Sequence, residues 1–421
     1  MALGLLLALP GIPLLLSVLC LTPFATLSRD RDAPRLGLFG FISVYITLGL
    51  GGATFWHAWR SLHGQPSRSL KLPAAPLMAL VFSLLVAMGI FVRDNDIAAG
   101  MFFPPLLIIA AALPPLSAIS WFAQRQSEGL TVRRGLVAFA GGATASVLFA
   151  ILLEILLPLI VLSLVRGASD VVVNYGSRLL DALAGRSIAL ALANPAFIYL
   201  FVGLAVIAPL AEEFAKPLVT LPLVRHLARR EAFLVAAMAG AGFAAIENVL
   251  YASFGPGFWA GILVVRALGG AIHPLGAGLV GMSWREVLHR EPGAWARGAA
   301  RFGLAAGVHA VWNGGSLIVI TLAGAQFFGQ LPPQINILGL SAAGTTLALL
   351  VVLGLGALWL GRAIVHQTES LAGSAQAVEA QLAVSDRAAA IWALACLAAT
   401  RAKSGWLHSP NWKPSRRSRG I

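Results

Sequence analysis

Ionisable and amide side chains interrupt a stretch of the sequence that is otherwise apolar, between Pro209 and Asn313. A charged side chain inside the hydrocarbon core of a membrane is costly unless it is paired or hydrated, so such groups are candidates for a functional site. These candidates fall in four neighbouring apolar segments, which indicates one shared site. They are Glu212, Glu213, Lys216, Glu247, Asn248, Arg266, His273, His309 and Asn313.

The spacing of the first three candidates predicts how their side chains are arranged. Glu212 and Lys216 are four residues apart, so on a helix they share one face, and Glu213 points about 100° around the helix axis. Two adjacent carboxylates near the end of a membrane span do not both ionise readily, and one of them can act as a general base toward water. The alternative is that Glu212 and Lys216 form a structural ion pair at the membrane interface.

Counting residues along the apolar segments separates the candidates into two depths. Glu247 and Arg266 lie at a similar distance from the outer ends of neighbouring antiparallel segments, which predicts an ion pair between them. The remaining acidic and imidazole groups lie toward the cytoplasmic end and make up the expected chemical level. That level consists of Glu212, Glu213, His273 and His309.

Imidazoles together with a carboxylate are the ligand set of catalytic zinc, which keeps one coordination position for an activated water. Without a metal, a glutamate and a histidine could activate water while Asn248 or Asn313 stabilises an oxyanion. Both schemes hydrolyse a peptide bond in or beside the membrane, and the residues leave the choice open. The motif His-Glu-x-x-His is absent and no aspartate lies well inside an apolar run, so zincin-like and aspartyl intramembrane sites are excluded.

The composition requires membrane-spanning helices to position these groups. Of the 421 residues, 58% are hydrophobic and 11% are charged, which is outside the range of ordinary soluble domains. Because about 20 apolar residues cross a bilayer, the predicted fold is all-α, a polytopic transmembrane helix bundle of about ten spans. The small residues at 239–242 predict a close approach of another helix. The predicted spans are 2–22, 36–56, 74–92, 99–122, 135–165, 188–213, 232–254, 258–282, 302–322 and 338–361.

The arginines and lysines concentrate in one set of the loops between spans and in the C-terminal tail. This asymmetry predicts that both termini are cytoplasmic. It also accounts for the formal charge of +13, and no nucleic acid is expected as a partner because no RNA-binding motif accompanies the charge. The chain has two cysteines, Cys20 and Cys396, which excludes a disulfide framework and a cysteine-rich zinc site.

Four spaced motifs resemble the ordered motifs of the PrsW family of bacterial intramembrane proteases. The resemblance covers roughly residues 203–316, and four motifs in order make it far more specific than any one alone. A more distant likeness is to the CAAX prenyl protease and bacteriocin-processing superfamily. There an arginine typically follows the paired glutamates at a longer spacing, so Lys216 favours the PrsW side. The motifs are Glu-Glu-Phe-Ala-Lys at 212–216, Gly-Phe-Ala-Ala-Ile-Glu-Asn at 242–248, Arg266 with His273, and His-Ala-Val-Trp-Asn at 309–313.

The resemblance implies an intramembrane peptidase of the metallo or glutamic type in a bacterial plasma membrane. Its substrates would be membrane-anchored proteins, for example single-pass proteins such as anti-sigma factors. Zinc or another divalent metal would be the cofactor of the metallo type, held by His273, His309 and Glu213. The implied catalytic set is Glu212, Glu213, Glu247, His273 and His309, with Lys216, Asn248, Arg266 and Asn313 in support.

Two other classes of protein fit the same residues. One is a proton- or ion-coupled transporter, in which Glu154 and the histidines form a relay, and the other is an inactive membrane scaffold. The broken half-helices that carriers typically use are not evident in the sequence. The expected divisions of the chain are N-terminal membrane helices of unassigned role at 1–187, a protease-like membrane core at 188–322, a final membrane helix at 323–364 and a partly disordered cytoplasmic tail at 365–421.

Overall fold

The computed structural model describes residues 40, 43–93, 102–123, 130–164, 198, 201–254, 258–327 and 341–368. These ranges contain helices and one isolated antiparallel bridge between Ser69 and Thr131, which confirms the all-α class. The chain divides into two compact units, Met1–Val365 and His366–Ile421, and the packing below is that of the first unit.

The helices of the described ranges are numbered here in chain order. Short π-helical turns at Tyr45–Gly51, Gly142–Ser146 and Gly203–Ile207 precede the first, fifth and sixth of them. The helices are α1 (Gly52–Leu62), α2 (Ala75–Arg93), α3 (Phe103–Ala123), α4 (Val132–Gly141), α5 (Val147–Leu164), α6 (Ala208–Ala215), α7 (Leu221–Val224), α8 (Arg229–Phe254), α9 (Trp259–Leu268), α10 (Ile272–Leu288), α11 (Ala294–Phe327) and α12 (Ser341–Thr368).

Six helices in the described part of the chain are long and apolar enough to cross a membrane, or seven spans if the bent pair α9 and α10 counts as one. The π-helical turn at Gly142–Ser146 joins α4 and α5 into one of these six candidate spans. The expected total of about ten spans is therefore not confirmed. The predicted span 2–22 lies outside the described residues, and 36–56 and 188–213 are described only in part.

Helix α8 is the centre of the bundle, because 94% of the residues in its most apolar stretch are buried. Its small residues allow backbones to touch: a Cβ built on Gly242 would lie 2.0 Å from the carbonyl oxygen of Phe139 in α4, and one on Gly240 would lie 2.4 Å from that of His273 in α10. The predicted close approach at 239–242 is confirmed. It brings α4 and α10 against opposite sides of the helix that carries Glu247.

The span formed by α9 and α10 is broken, with a bend of 43° between the two helices. Gly269 and Gly270 lie at the break, where the first faces the ring of Trp312 in α11 and the second faces Pro114 in α3. The expectation of unbroken spans is therefore wrong here. Glycine permits the break because its missing side chain leaves room for these neighbours.

A second polar cluster fixes the ends of α8, α10 and α11 relative to one another. The fully buried Glu286 accepts a hydrogen bond from Arg297 Nε at 2.8 Å and forms ion pairs with Arg301 at 3.1 Å and Arg229 at 3.4 Å. The three arginines come from segments expected to lie at the cytoplasmic face. Their network holds the three site-bearing helices together at that end.

Candidate functional site

The short helix α6 places three ionisable groups at the centre of the bundle. Lys216, which directly follows the helix, has its Nζ atom 3.0 Å from Glu212 Oε2 and 2.7 Å from Glu213 Oε1. The lysine side chain is fully buried, and both carboxylates are buried with it. The predicted pairing of Glu212 with Lys216 is confirmed, but it lies inside the protein and includes Glu213.

His309 reaches the same centre from α11. Its Nδ1 atom lies 2.9 Å from Glu213 Oε1 and 3.4 Å from Lys216 Nζ. Because the carboxylate is the nearer partner, the proton of the neutral imidazole belongs on Nδ1, where it donates to Glu213. The Nε2 atom then offers its lone pair 3.8 Å from Glu212 Oε2.

His273 approaches from α10 in a matching arrangement. Its Nε2 atom lies 3.1 Å from Glu247 Oε2 and 3.4 Å from Arg266 Nη2, so a carboxylate is again the nearer partner. The Nδ1 atom is left 3.8 Å from Glu212 Oε2. Each imidazole is thus backed by a carboxylate and a cation on one side and faces Glu212 on the other.

Glu247 and Arg266 form the predicted ion pair, with Nη2 and Oε2 2.7 Å apart. Arg266 also donates from Nε to Asn248 Oδ1, and Asn248 donates from Nδ2 to the carbonyl oxygen of Ala111 in α3 at 3.0 Å. The separation of the candidates into two depths is wrong, because Glu247 directly approaches His273. The break between α9 and α10 lies between Arg266 and His273, whose side chains approach to 3.4 Å.

Asn248 and Asn313 both use their amide groups to join helices. Asn313 Nδ2 donates to the carbonyl oxygen of Leu204, in the π-helical turn before α6, at 3.1 Å. This bond ties α11 to the chain that carries the paired glutamates. The oxyanion role considered for the two asparagines stays a prediction, since both amides are engaged with backbone carbonyls.

Three buried donor atoms converge in a way that fits a metal ion. Glu212, His273 and His309 each offer one atom, and these atoms lie within 4.8 Å of one another. Glu212 Oε2, His273 Nδ1 and His309 Nε2 are all buried; the two imidazole nitrogens make no hydrogen bond with the described residues, and Glu212 Oε2 is paired with Lys216 Nζ at 3.0 Å. Ligating imidazoles normally direct their other nitrogen at a carboxylate, as both do here. Donors of this kind suit zinc.

The carboxylate that lies between the two imidazoles is Glu212, whereas the predicted metal ligand was Glu213. Glu213 lies behind His309, and Glu247 lies behind His273. Which carboxylate binds metal stays a prediction.

Sequence reasoning missed three contributions to the site. Ser146, in the π-helical turn after α4, donates from Oγ to the carbonyl oxygen of Lys216 at 3.1 Å. The ring of Phe243 stacks on His273 with centroids 5.9 Å apart and lies 4.7 Å from Lys216 Nζ. The carbonyl oxygen of Ala111 accepts the hydrogen bond of Asn248, and a backbone acceptor of this kind cannot be recognised from the residue type. Phe243 was within a recognised motif, and its spacing four residues before Glu247 could have placed it on the same face.

A membrane-spanning helix bundle that buries glutamates and histidines with converging donor atoms is the arrangement expected of an intramembrane peptidase. Residues 132–332 match the family described as PrsW family intramembrane metalloprotease, so this chain carries a PrsW-family peptidase domain. The match begins at α4 and ends beyond α11, and it contains all nine candidate residues. No curated protein and no solved structure matches the chain. Helices α1, α2, α3 and α12 lie outside the matched region.

Proposed function

We propose that this membrane peptidase hydrolyses peptide bonds with a water activated at a divalent metal held by Glu212, His273 and His309. The observation that carries the proposal is the convergence of three buried donor atoms, two of which are imidazole nitrogens that make no hydrogen bond with the described residues. A metal bound there would act as a Lewis acid and supply a hydroxide-like nucleophile near neutral pH.

The residues around these three groups orient them. Glu213 accepts the Nδ1 proton of His309, and Glu247 lies against Nε2 of His273, so each imidazole presents its unprotonated nitrogen toward Glu212. Lys216 and Arg266 compensate the charge of these two carboxylates. The proposal therefore gives Glu213 and Glu247 positioning roles.

The substrates proposed are single-pass membrane proteins, of which anti-sigma factors are one example, cleaved in the bacterial plasma membrane. The family description as an intramembrane protease and the apolar helices support a membrane-embedded substrate. The distribution of arginines supports cytoplasmic termini. In α10 the Glu286 cluster lies 13 residues after His273, and in α8 it lies 18 residues before Glu247, so the site lies about 20 Å or more from the helix ends that carry these arginines.

The test is cleavage of a tagged single-pass substrate by the purified full chain in liposomes, together with metal analysis. We expect His273→Ala and His309→Ala to abolish cleavage and bound metal. The matched control is His289→Ala, which changes an exposed histidine whose side chain hydrogen-bonds to the carbonyl oxygen of Arg225, away from the site. Cleavage by folded, correctly inserted site variants at the wild-type rate would overturn the assignment.

A chelator separates the metallo mechanism from the glutamic one. Treatment with a membrane-compatible zinc chelator is expected to stop cleavage, and added zinc is expected to restore it. Full cleavage by protein shown to contain no metal would instead assign water activation to a glutamate. Stable capture of the substrate by the wild type without any cleavage would favour the scaffold.

A further inference from the structure

We propose that Glu154 binds a cationic side chain, lysine or arginine, of the membrane substrate and so selects substrates with a positive charge near the scissile bond. This inference rests on the proposed function and adds a substrate class to it. Glu154 is the remaining carboxylate that faces the site, and neither the donor set nor its supporting pairs use it.

The protein-facing side of α5 carries Glu154. Val147, Ala150, Glu154 and Pro158 follow one another at helical spacing, and all four are at least partly buried, whereas Ile151 and Ile155 are exposed on the opposite side. Helix α5 packs along α6, the helix of the paired glutamates. Glu154 therefore points toward the protein and not toward lipid. An apolar residue would ordinarily occupy such a position in a membrane helix.

The neighbours of Ala150 fix the direction in which Glu154 lies. Ala150 packs against Ala215 at the end of α6 and against Phe243 of α8, the ring that stacks on His273. Arg134 pairs with Glu231 at the starts of α4 and α8, and Ala150 meets Phe243 further along both, so the α4–α5 span and α8 run in the same direction. One helical turn beyond Ala150 and Phe243 lie Glu154 and Glu247. Their carboxylates interact electrostatically, and Glu154 also interacts with Lys216.

The carboxylates of the site differ in their partners. Glu212 and Glu213 pair with Lys216, and Glu247 pairs with Arg266. Glu154 has neither an ion pair nor a hydrogen bond with any described residue, and it is partly exposed. A carboxylate at membrane depth next to another carboxylate is costly, and a cation brought by the substrate would remove that cost.

The Glu247 end of the site is also the accessible end. The side chains of Glu247 and Arg266 are each 11% exposed, and Tyr251, whose ring covers Arg266, is 38% exposed. Glu213 and His309 at the other end are fully buried. A substrate that reaches the donor atoms therefore passes the side on which Glu154 lies.

The test uses a set of model substrates in liposomes with the full chain. Each substrate has one transmembrane segment whose only charged residue is a single lysine, placed at one of several positions. Matched versions carry glutamine or glutamate at the same position. At the preferred position the wild type is expected to cleave the lysine version about tenfold more efficiently in kcat/KM than the glutamine version, which corresponds to about 1.4 kcal/mol. Glu154→Gln is expected to cleave both equally, and Glu154→Lys is expected to prefer the glutamate version.

Two controls keep the result specific. Glu231→Gln removes a carboxylate that pairs with Arg134 at the start of α8, away from the site, and is expected to keep the lysine preference. Metal content of Glu154→Gln should equal that of the wild type, and its melting temperature should not be lower. An equal lysine-to-glutamine ratio for wild type and Glu154→Gln, with cleavage intact, would refute this inference alone. Failure of the wild type to cleave any substrate, or cleavage that persists in His309→Ala, would refute the proposed function instead.

Discussion

Gly276 in α10 provides the sharpest test of the supporting role of Glu213. A Cβ built on this glycine would lie 2.2 Å from Glu213 Oε2, and real Cβ contacts essentially never fall below 3.0 Å. The substitution Gly276→Ala therefore requires a displacement of about 0.8 Å. The carboxylate has little freedom to move, because Lys216 holds its other oxygen at 2.7 Å and His309 holds it at 2.9 Å.

The structure allows the effect of this displacement to be estimated. Overpacking a buried position typically costs about 1 to 3 kcal/mol, which would lower the melting temperature and leave the bundle folded. A misplacement of about 1 Å at a catalytic group can lower the rate by about 100-fold. We therefore expect Gly276→Ala to reduce kcat/KM by about 100-fold and to weaken metal binding, because the Glu213 that orients His309 is displaced.

The assay is cleavage of the single-pass substrate, with metal affinity measured by competition against a chelator of known strength. Gly307→Ala is the matched control. Gly307 lies on the same helix as His309, and a Cβ built on it would meet nothing within 4 Å. It should keep both activity and metal affinity. If folded Gly276→Ala matches the wild type in both measurements, Glu213 does not orient His309 and the reasoning fails.

Three further outcomes are expected. Glu247→Gln should weaken metal affinity by about 10- to 100-fold in the chelator competition, because it changes the group behind a ligand, and unchanged affinity would argue against that role. Gly142→Ala should lower the melting temperature far more than Gly356→Ala, since its Cβ would lie 1.9 Å from a backbone carbonyl oxygen of α8 whereas Gly356 has nothing within 4 Å. Burial raises the pKa of the Glu291 carboxyl. The hydrogen bond and the positive charge of Arg229 act in the opposite direction, and the pKa ends below its ordinary value. Glu291 therefore stabilises the fold above its unfolded-state pKa of about 4.3, and the melting temperature of the wild type should fall more steeply below about pH 4 than that of Glu291→Gln.

The sequence predicted the all-helical fold and the ion pairs among the candidate residues, because both depend on local patterns. Apolar runs of sufficient length mark spans, and ionisable residues inside them are conspicuous. The ion pairs of Lys216 with Glu212 and of Arg266 with Glu247 followed from helical spacing and depth alone. Contacts of this kind require only regular helices.

The errors arose where a helix is interrupted. Depth counting treated the predicted span 258–282 as one straight helix, whereas the span bends by 43° after Leu268 and the side chains of Arg266 and His273 approach to 3.4 Å. Two adjacent glycines, Gly269 and Gly270, carried a signal for that break, but glycine in a membrane helix also marks close packing. Whether it does one or the other depends on neighbours such as Trp312 and Pro114, which no local pattern identifies.

The charges of the site decide between its two chemical schemes. Four carboxylates, of Glu154, Glu212, Glu213 and Glu247, face two permanent cations, Lys216 and the guanidinium that pairs with Glu247. A net charge of about −2 buried among apolar helices is strongly unfavourable. Without a metal, two protons would be needed to offset this charge, and they would leave only two of the four carboxylates able to act as a base toward water. A divalent cation between Glu212 and the two imidazoles restores neutrality and leaves every carboxylate ionised, so the charge balance favours the metallo mechanism over the glutamic one.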